Sequence, residues 1–305
     1  MSLKSDIKAL AKQCGMSMCG VAGISRFEGS PANLHPCRVL PGCKSVIVVG
    51  VRLLDGTIQA NFRDFEDGQK DLKGLYGTYG YTMLPNFQLT RTCYDIAQMI
   101  ETQTGMAAVP CSTGPMTNGR QVSLRHCAVA AGLGEFGWMS IVLTPEFGPR
   151  NRFGAILTTA EIEPDPMYSG EKLCNPEKCG ICTKVCPSGA LSLYGSESKS
   201  SVTIENRHYE YCTVNMVKCF VVEERLRKQY GAPEDYAPSD TPTPQELKAA
   251  QKRARVDDLG LQHTPSWYCG RCLSYCPAGN WGEKFKKTGL SGGYKNDCCF
   301  KEREH

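Results

Sequence analysis

Long apolar runs are absent from this sequence: no stretch approaches the ~18–20 residues that a membrane-spanning helix requires. The opening residues, MSLKSDIKALAKQCG, hold neither a secretory apolar core nor a twin-arginine pair. The expectation is a cytoplasmic protein with no membrane partner. Charge of one sign is scarce as well. Lysine and arginine total 35 against 31 acidic residues, a net charge of +4, and no segment interleaves basic and aromatic residues as nucleic-acid sites do. Disorder is excluded by an ordinary balance of 41% hydrophobic and 22% charged residues. A chain of 305 residues has room for one large domain or two moderate ones with a sizeable core.

Cysteine is the opposite case. Eighteen cysteines are too many for a reduced compartment unless some of them bind metal. A disulfide scaffold is opposed by the length and by the clustered spacing.

Along the chain, residues 3–14 have the spacing of an amphipathic helix, with Leu3, Ile7, Leu10 and Ala11 on one face. Ser45–Val51 is a β-branched run and reads as a buried strand. Residues 62–73 are polar and charged, and the tyrosine- and glycine-rich segment Leu75–Tyr81 follows. A helix is expected from Phe87 to Thr104 through Leu89, Cys93, Ile96, Ala97 and Ile100, and another from Val122 to Ala131. Strands at Ile141–Thr144 and Phe153–Thr158 flank the loop Pro145–Arg152. Pro164 and Pro166 mark a boundary, beyond which cysteine density rises and apolar strands disappear. The charged stretch at about 223–258 reads as a surface excursion, partly helical over Gln245–Ala254.

The cysteines carry the strongest signal. One motif is Cys174-x4-Cys179-x2-Cys182-x3-Cys186-Pro187 and the other is Cys269-x2-Cys272-x3-Cys276-Pro277. In two-cluster ferredoxins the C-x2-C pair holds one 4Fe–4S cube, and the cysteine before proline crosses to the other. Four-cysteine zinc sites also use C-x2-C pairs, but the repeated C-x3-C-P tail is characteristic of clusters. Two 4Fe–4S clusters are therefore expected. The first takes Cys174, Cys179, Cys182 and Cys276; the second takes Cys186, Cys269, Cys272 and one of Cys212 or Cys219, with Cys212 favoured. The x4 spacing after Cys174 departs from the usual x2. Cys298 and Cys299 are unassigned.

Electron transfer alone would not need some 170 residues ahead of the clusters. Gly132-x-Gly134-x-x-Gly137 matches the dinucleotide fingerprint, but a helix-like stretch precedes it and a strand-like one follows, the reverse of what that fingerprint needs. Ala131–Trp138, Leu143-Thr-Pro-Glu-Phe-Gly-Pro-Arg150, Phe153–Asp165 and the cysteine motifs resemble the family uniting epoxyqueuosine reductases with reductive dehalogenases. The resemblance implies an α+β protein: a nitroreductase-like α/β core over residues 1–165, binding base-off cobalamin, and a ferredoxin-like two-cluster module over 166–305. It implies a cobalamin-dependent reductase that cleaves a bond in a small organic substrate. Its electrons would come from an external low-potential donor such as ferredoxin or flavodoxin, in an anaerobic setting. A tRNA partner is expected only for queuosine-type chemistry. The alternatives are an electron-transfer or corrinoid-handling protein without its own substrate, and a flavin in the core.

On that reading the corrinoid contacts are Ser112, Gly132, Gly134, Gly137, Trp138, Thr144, Phe147, Gly148, Arg150 and Arg152. The glycines would let backbone approach a flat ligand, and the arginines would hold its rim or phosphate tail; the plain alternatives are solvated arginines and aromatic core packing. Epoxyqueuosine reductases place an acidic proton donor where this chain has Ser112. By analogy with dehalogenases, Tyr76, Tyr79 and Tyr81 are the candidate catalytic residues, with packing as their alternative. Arg125 and His126 could supply a cation nearby.

Overall fold

The computed structural model describes residues 2–66, 73–112, 121–255, 269–279 and 281. Thr113–Pro115, Cys298, Cys299 and the end of the charged stretch at 256–258 lie outside them. Its centre is a four-stranded antiparallel sheet in the order β1-β2-β6-β3, with β1 at Met18–Gly23, β2 at Ser45–Arg52, β3 at Ala108–Cys111 and β6 at Asn151–Thr158. Ile47 of β2 pairs with Val21 on one side and Ile156 on the other. Seven of the eight β2 residues are buried, because both faces of the sheet are covered. Ile47, Val49 and Ile156 meet Ile7 and Ala11 of the helix Leu3–Gln13 and Leu89, Cys93, Ile96 and Ile100 of the helix Met83–Thr104. Val46, Val48, Ala155 and Leu157 point the other way, onto Ala128 and Val129 of the helix Leu124–Ala130. The strand period of two thus sorts one apolar run into two cores. Each buried Ile or Val contributes about 1.5–3 kcal/mol.

Local chemistry sets the ends. Ser2 accepts a hydrogen bond from the Ser5 amide at the start of the first helix. The helix Met83–Thr104 stops at Gly105, whose φ of 69° turns its amide back onto Glu101 O. Pro85 sits in that helix's first turn, where its missing N–H leaves no bond unmade. Lys4 and Lys8 converge on Asp165 Oδ1 at 2.9 and 2.8 Å, while Asp165 Oδ2 accepts the Val21 amide. This fastens the first helix and the edge strand β1 to the segment after β6.

Residues 55–66 form a helix, Asp55–Glu66, that the polar composition hid. Tyr76–Tyr81 forms a π-helical turn. The glycine-rich turn closes a two-stranded ribbon of β4 (Glu135–Phe136) and β5 (Val142–Leu143). Strands do not end at Pro166: β7 (Lys199–Ile204) pairs with β8 (Arg207–Cys212) in register. Of that hairpin Val202, Ile204, Tyr211 and Cys212 are buried, scattered over two strands, so its sequence carries no apolar run. The helix Pro244–Ala254 is closed by a Thr243–Glu246 capping box. It buries Ala250 against Val221, Leu226 and Ala237, so the charged excursion has a small core of its own. Among the described residues no helix is long and apolar enough to cross a membrane.

Candidate functional site

Both cysteine motifs fold alike. Gly180 and Gly270, each the second residue of a C-x2-C, adopt φ of 60° and 62° and open the four-residue helices Ile181–Lys184 and Arg271–Ser274. The left-handed conformation there favours glycine and reverses the chain at the start of each short helix. Beneath the motifs lies an apolar cluster of Trp138, Met139, Leu143, Leu191 and Cys212, against which Cys174, Cys182, Cys186, Cys272 and Cys276 pack.

The thiols fall into two groups. Burial pushes Cys182 up to about 12, and Cys174, Cys276, Cys212 and Cys179 add to the rise. Burial likewise lifts Cys276 to about 11, with Cys174 and Cys179 adding and Arg150 opposing. In the second group burial raises Cys272 well above the ordinary thiol value, helped by Cys269, Cys219, Cys182 and Cys186. Cys219 is raised to about 12 by burial, then by Glu223, Cys269 and Cys186. The favoured eighth ligand, Cys212, stands differently. It is 1% exposed, its amide donates to Trp138 O at 2.8 Å, and Ser192 backbone bonds to its thiol. Cys186 raises it and it raises Cys182, whereas Cys219 is raised by Cys269 and Cys186 and itself raises Cys272. Asn215 caps the helix Met216–Glu223, which carries Cys219.

Among the described residues no three His, Cys, Asp or Glu side chains are placed to hold a single metal ion. An iron–sulfur cube asks for something else, four thiolates spread around a larger body. The two groups of thiols, half-buried apart from the exposed Cys179, fit that demand. Without a cation Cys174, Cys182, Cys219, Cys269, Cys272 and Cys276 resist ionisation, and bound iron inverts that preference. Donors are also in place: the Trp138 amide lies 3.3 Å from Cys174 Sγ and the Ala190 amide 3.3 Å from Cys186 Sγ. Tyr76 is fully buried and its hydroxyl has no partner among the described residues. That hydroxyl faces Gly270, where an added Cβ would stand 2.2 Å from it. A buried orphan donor against the second C-x2-C suits a sulfur acceptor.

The three tyrosines separate. Tyr76 packs with Leu53, Ile58, Leu273 and Trp281. Tyr79 is 49% exposed. Tyr81 stacks on Tyr76 with centroids 5.4 Å apart, and the Arg152 guanidinium lies 4.7 Å from its ring centre. Burial raises Tyr81 to about 12 against the pull of Arg152. Arg152 Nε donates to Asn86 Oδ1 at 3.1 Å, and Ser112 Oγ shares a 2.8 Å bond with Thr90 Oγ1. His126 stands apart from this cation: burial lowers it to about 4, and it contacts Tyr211 Oη at 3.2 Å. Arg125 is bound to the Ser140 carbonyl.

The other corrinoid candidates meet protein rather than open space. A Cβ on Gly132 would stand 2.1 Å from Pro166 O, on Gly134 1.9 Å from Leu143 O, and on Gly148 2.3 Å from Ala278 O; Gly137 abuts the Leu143 side chain. These glycines admit neighbouring backbone. Thr144 is buried and its hydroxyl accepts the Phe147 amide at 3.3 Å. Trp138 is buried at the first cysteine group, with its indole N–H on Ser192 O at 2.8 Å. Arg150 is 2% exposed and donates to Leu273 O at 3.2 Å, to Cys276 O at 2.8 Å and to Ala278 O. It also lies 4.0 Å from the Trp281 ring centre. At 2% exposure it is not a solvated charge. It clamps the second cysteine motif to the end of the core loop.

No family model matches the chain. An epoxyqueuosine reductase of Gloeobacter violaceus is 31% identical over 191 residues, covering 61% of this chain and 53% of that protein. A tetrachloroethene reductive dehalogenase of Desulfitobacterium hafniense is 34% identical over 108 residues, 34% of this chain and 18% of that one. The chain therefore spans about half the length of the first relative and a fifth of the second. A solved catabolic reductive dehalogenase aligns over 95% of this chain and 36% of its own, with a TM-score of 0.50 and 17% identity, a likeness of fold. The chain is thus a homologue of the epoxyqueuosine reductases and reductive dehalogenases, and its mixed helix-and-sheet fold is like that of the solved reductive dehalogenase.

Proposed function

We propose that the chain is a cobalamin-dependent iron–sulfur reductase acting on a small organic substrate. In this reading residues 1–165 form a nitroreductase-like core and residues 166–305 a ferredoxin-like module. The observation that carries it is the succession of two thiol groups, half-buried apart from the exposed Cys179, followed by the Tyr76–Tyr81–Arg152 stack. Cys174, Cys179, Cys182 and Cys276 hold the first cluster. Cys186, Cys269, Cys272 and Cys219, in place of Cys212, hold the second, towards which Tyr76 donates. Base-off cobalamin, when bound, supplies a strongly reducing cobalt centre.

The chain's own residues do the rest. Exposed Met83, Leu84 and Phe87 stand beside Asn86, which holds Arg152, and offer an apolar shelf for a broad flat ligand. Tyr81 keeps its proton through the neutral range because burial disfavours the phenolate. Arg152 over its ring stabilises the phenolate as the proton leaves for the substrate, so Tyr81 fills the donor role that an acid at position 112 would otherwise serve.

The test is metal and corrin analysis of protein purified and reconstituted without oxygen. Two clusters predict about eight irons per chain, one cobalt and a base-off corrin spectrum. Substitution C219S is expected to lower the iron to about four, while C212S retains about eight. Iron uptake without corrin binding overturns the cobalamin part. A small-substrate screen run beside an epoxyqueuosine-bearing tRNA stem loop separates the two substrate classes.

A further inference from the structure

Tyr76 opens the π-helical turn Tyr76–Tyr81 and is fully buried. The protein holds it from several sides. Leu53, Ile58, Leu273 and Trp281 enclose its ring, and Tyr81 stacks on it with the two planes 18° apart. A Cβ on Gly80 would meet the Tyr76 ring at 3.0 Å and the Thr57 hydroxyl at 2.5 Å, so the turn is closed down on the helix Asp55–Glu66. From the same helix Asn61, 2% exposed, donates its Nδ2 to Cys269 O at 3.0 Å. One helix thus fixes both the tyrosine and the first cysteine of the second C-x2-C. The hydroxyl held in this frame has no partner among the described residues and faces Gly270, whose missing side chain leaves it room. Burial holds the phenol well above its ordinary value; Tyr81, Cys272 and Cys269 add to that, and Arg152 opposes it. A phenylalanine would fill the same space without the cost of an unpaired buried donor. An acceptor that arrives with the cluster accounts for the hydroxyl.

We infer that the Tyr76 hydroxyl donates to a sulfur of the second cluster and raises that cluster's reduction potential above the value its thiolates alone would set. The inference rests on the cluster reading proposed above. Each electron comes from the external reductant and takes the cluster from 2+ to 1+. No bond of Tyr76 is made or broken in that step, and its proton stays in place. The added charge lies partly on the sulfurs, so the bond from the hydroxyl is stronger in the reduced state and favours it. This separates Tyr76 from Tyr81, whose hydroxyl serves the substrate in the proposed reaction. Because Tyr81 stacks on the Tyr76 ring, the residue that tunes the cluster also positions the proton donor.

The test is a redox titration of the reconstituted full chain with dithionite and mediator dyes, followed by low-temperature EPR. C219S, which keeps the first cluster, tells the two signals apart. Y76F preserves the ring and the stack and removes only the hydroxyl. It is expected to take up about eight irons and to make the second cluster about tenfold harder to reduce, equivalent to about 59 mV for one electron. The first cluster should not move. In wild-type protein reconstituted in deuterium oxide, pulsed ENDOR of the reduced second cluster should show a coupled deuteron that Y76F lacks. Equal potentials in Y76F and wild type, or a shift shared by both clusters, overturn the inference. So does a Y76F chain that takes up only about four irons, since the hydroxyl would then hold the cluster rather than tune it. A wild-type chain that takes up no iron refutes the cluster reading itself, and the tuning falls with it.

Discussion

Replacing Arg150 with methionine separates a structural clamp from a ligand contact. The guanidinium serves the carbonyls of Leu273, Cys276 and Ala278 and lies over Trp281. Hydrogen bonds to a charged group contribute about 1.5–3 kcal/mol each; the 3.2 Å bond belongs at the low end, and the ring contact adds about 1 kcal/mol. Methionine fills much of the volume and avoids burying a charge, which returns part of that sum. The net loss is therefore about 4 kcal/mol, a thousandfold shift in the folded-to-unfolded ratio and a fall in Tm of roughly 8–12 °C. R150K keeps the charge without the planar fork and should lose about half as much. Thermal and urea melts of the anaerobic protein measure this, with iron content followed alongside, because Cys276 O is one of the clamped carbonyls. A variant that melts with the wild type but no longer binds corrin would refute the clamp and return Arg150 to the ligand site.

Gly134→Ala should cost about 3 kcal/mol or prevent folding, because the new methyl meets the Leu143 carbonyl at 1.9 Å and backbone must move; an unchanged melting curve would leave the ligand explanation of that glycine standing. His126 is held near 4 by burial, so between about pH 6.5 and 4 the unfolded chain gains a proton that the folded one refuses. Stability should fall with pH across that window, and H126Q should flatten the slope in urea melts at pH 7, 5.5 and 4.5. Y81F, which keeps the ring under Arg152 and removes only the hydroxyl, should lower turnover by about 10²–10⁴ while binding corrin normally; turnover at the wild-type rate would exclude Tyr81 as proton donor.

Much of the framework is legible from residue order. The helix Leu3–Gln13, the long helix ending at Thr104 and the strands Ser45–Arg52 and Asn151–Thr158 all carry the periodicities of their elements, because a helix or strand buries one set of local neighbours whatever its surroundings. The edge strands Met18–Gly23 and Ala108–Cys111 were missed. Their sequences, with Gly20 and Pro110, are poor strand formers held by pairing with β2 and β6. The hairpin after Pro166 was hidden for a related reason: four buried residues scattered over twelve leave no apolar run.

For the candidate site the division is sharper. The cysteine motifs belong to the sequence alone, since a C-x2-C turn and a proline after the fourth cysteine are local geometry that any tertiary setting inherits. The choice between Cys212 and Cys219 belongs to the tertiary structure. In the proposed reading it rests on the Asn215-capped helix that carries Cys219 towards Cys269 and Cys272, and on the hairpin in which Cys212 donates its amide to Trp138 O. The same holds for Arg150 and the glycines. Their residue types and spacing suited a ligand as well as they suited packing, and sequence separations of more than 120 residues between Arg150 and its carbonyls gave no sign of the partner. Non-local contacts decide such cases, because a buried donor takes whichever acceptor the folded chain brings within reach.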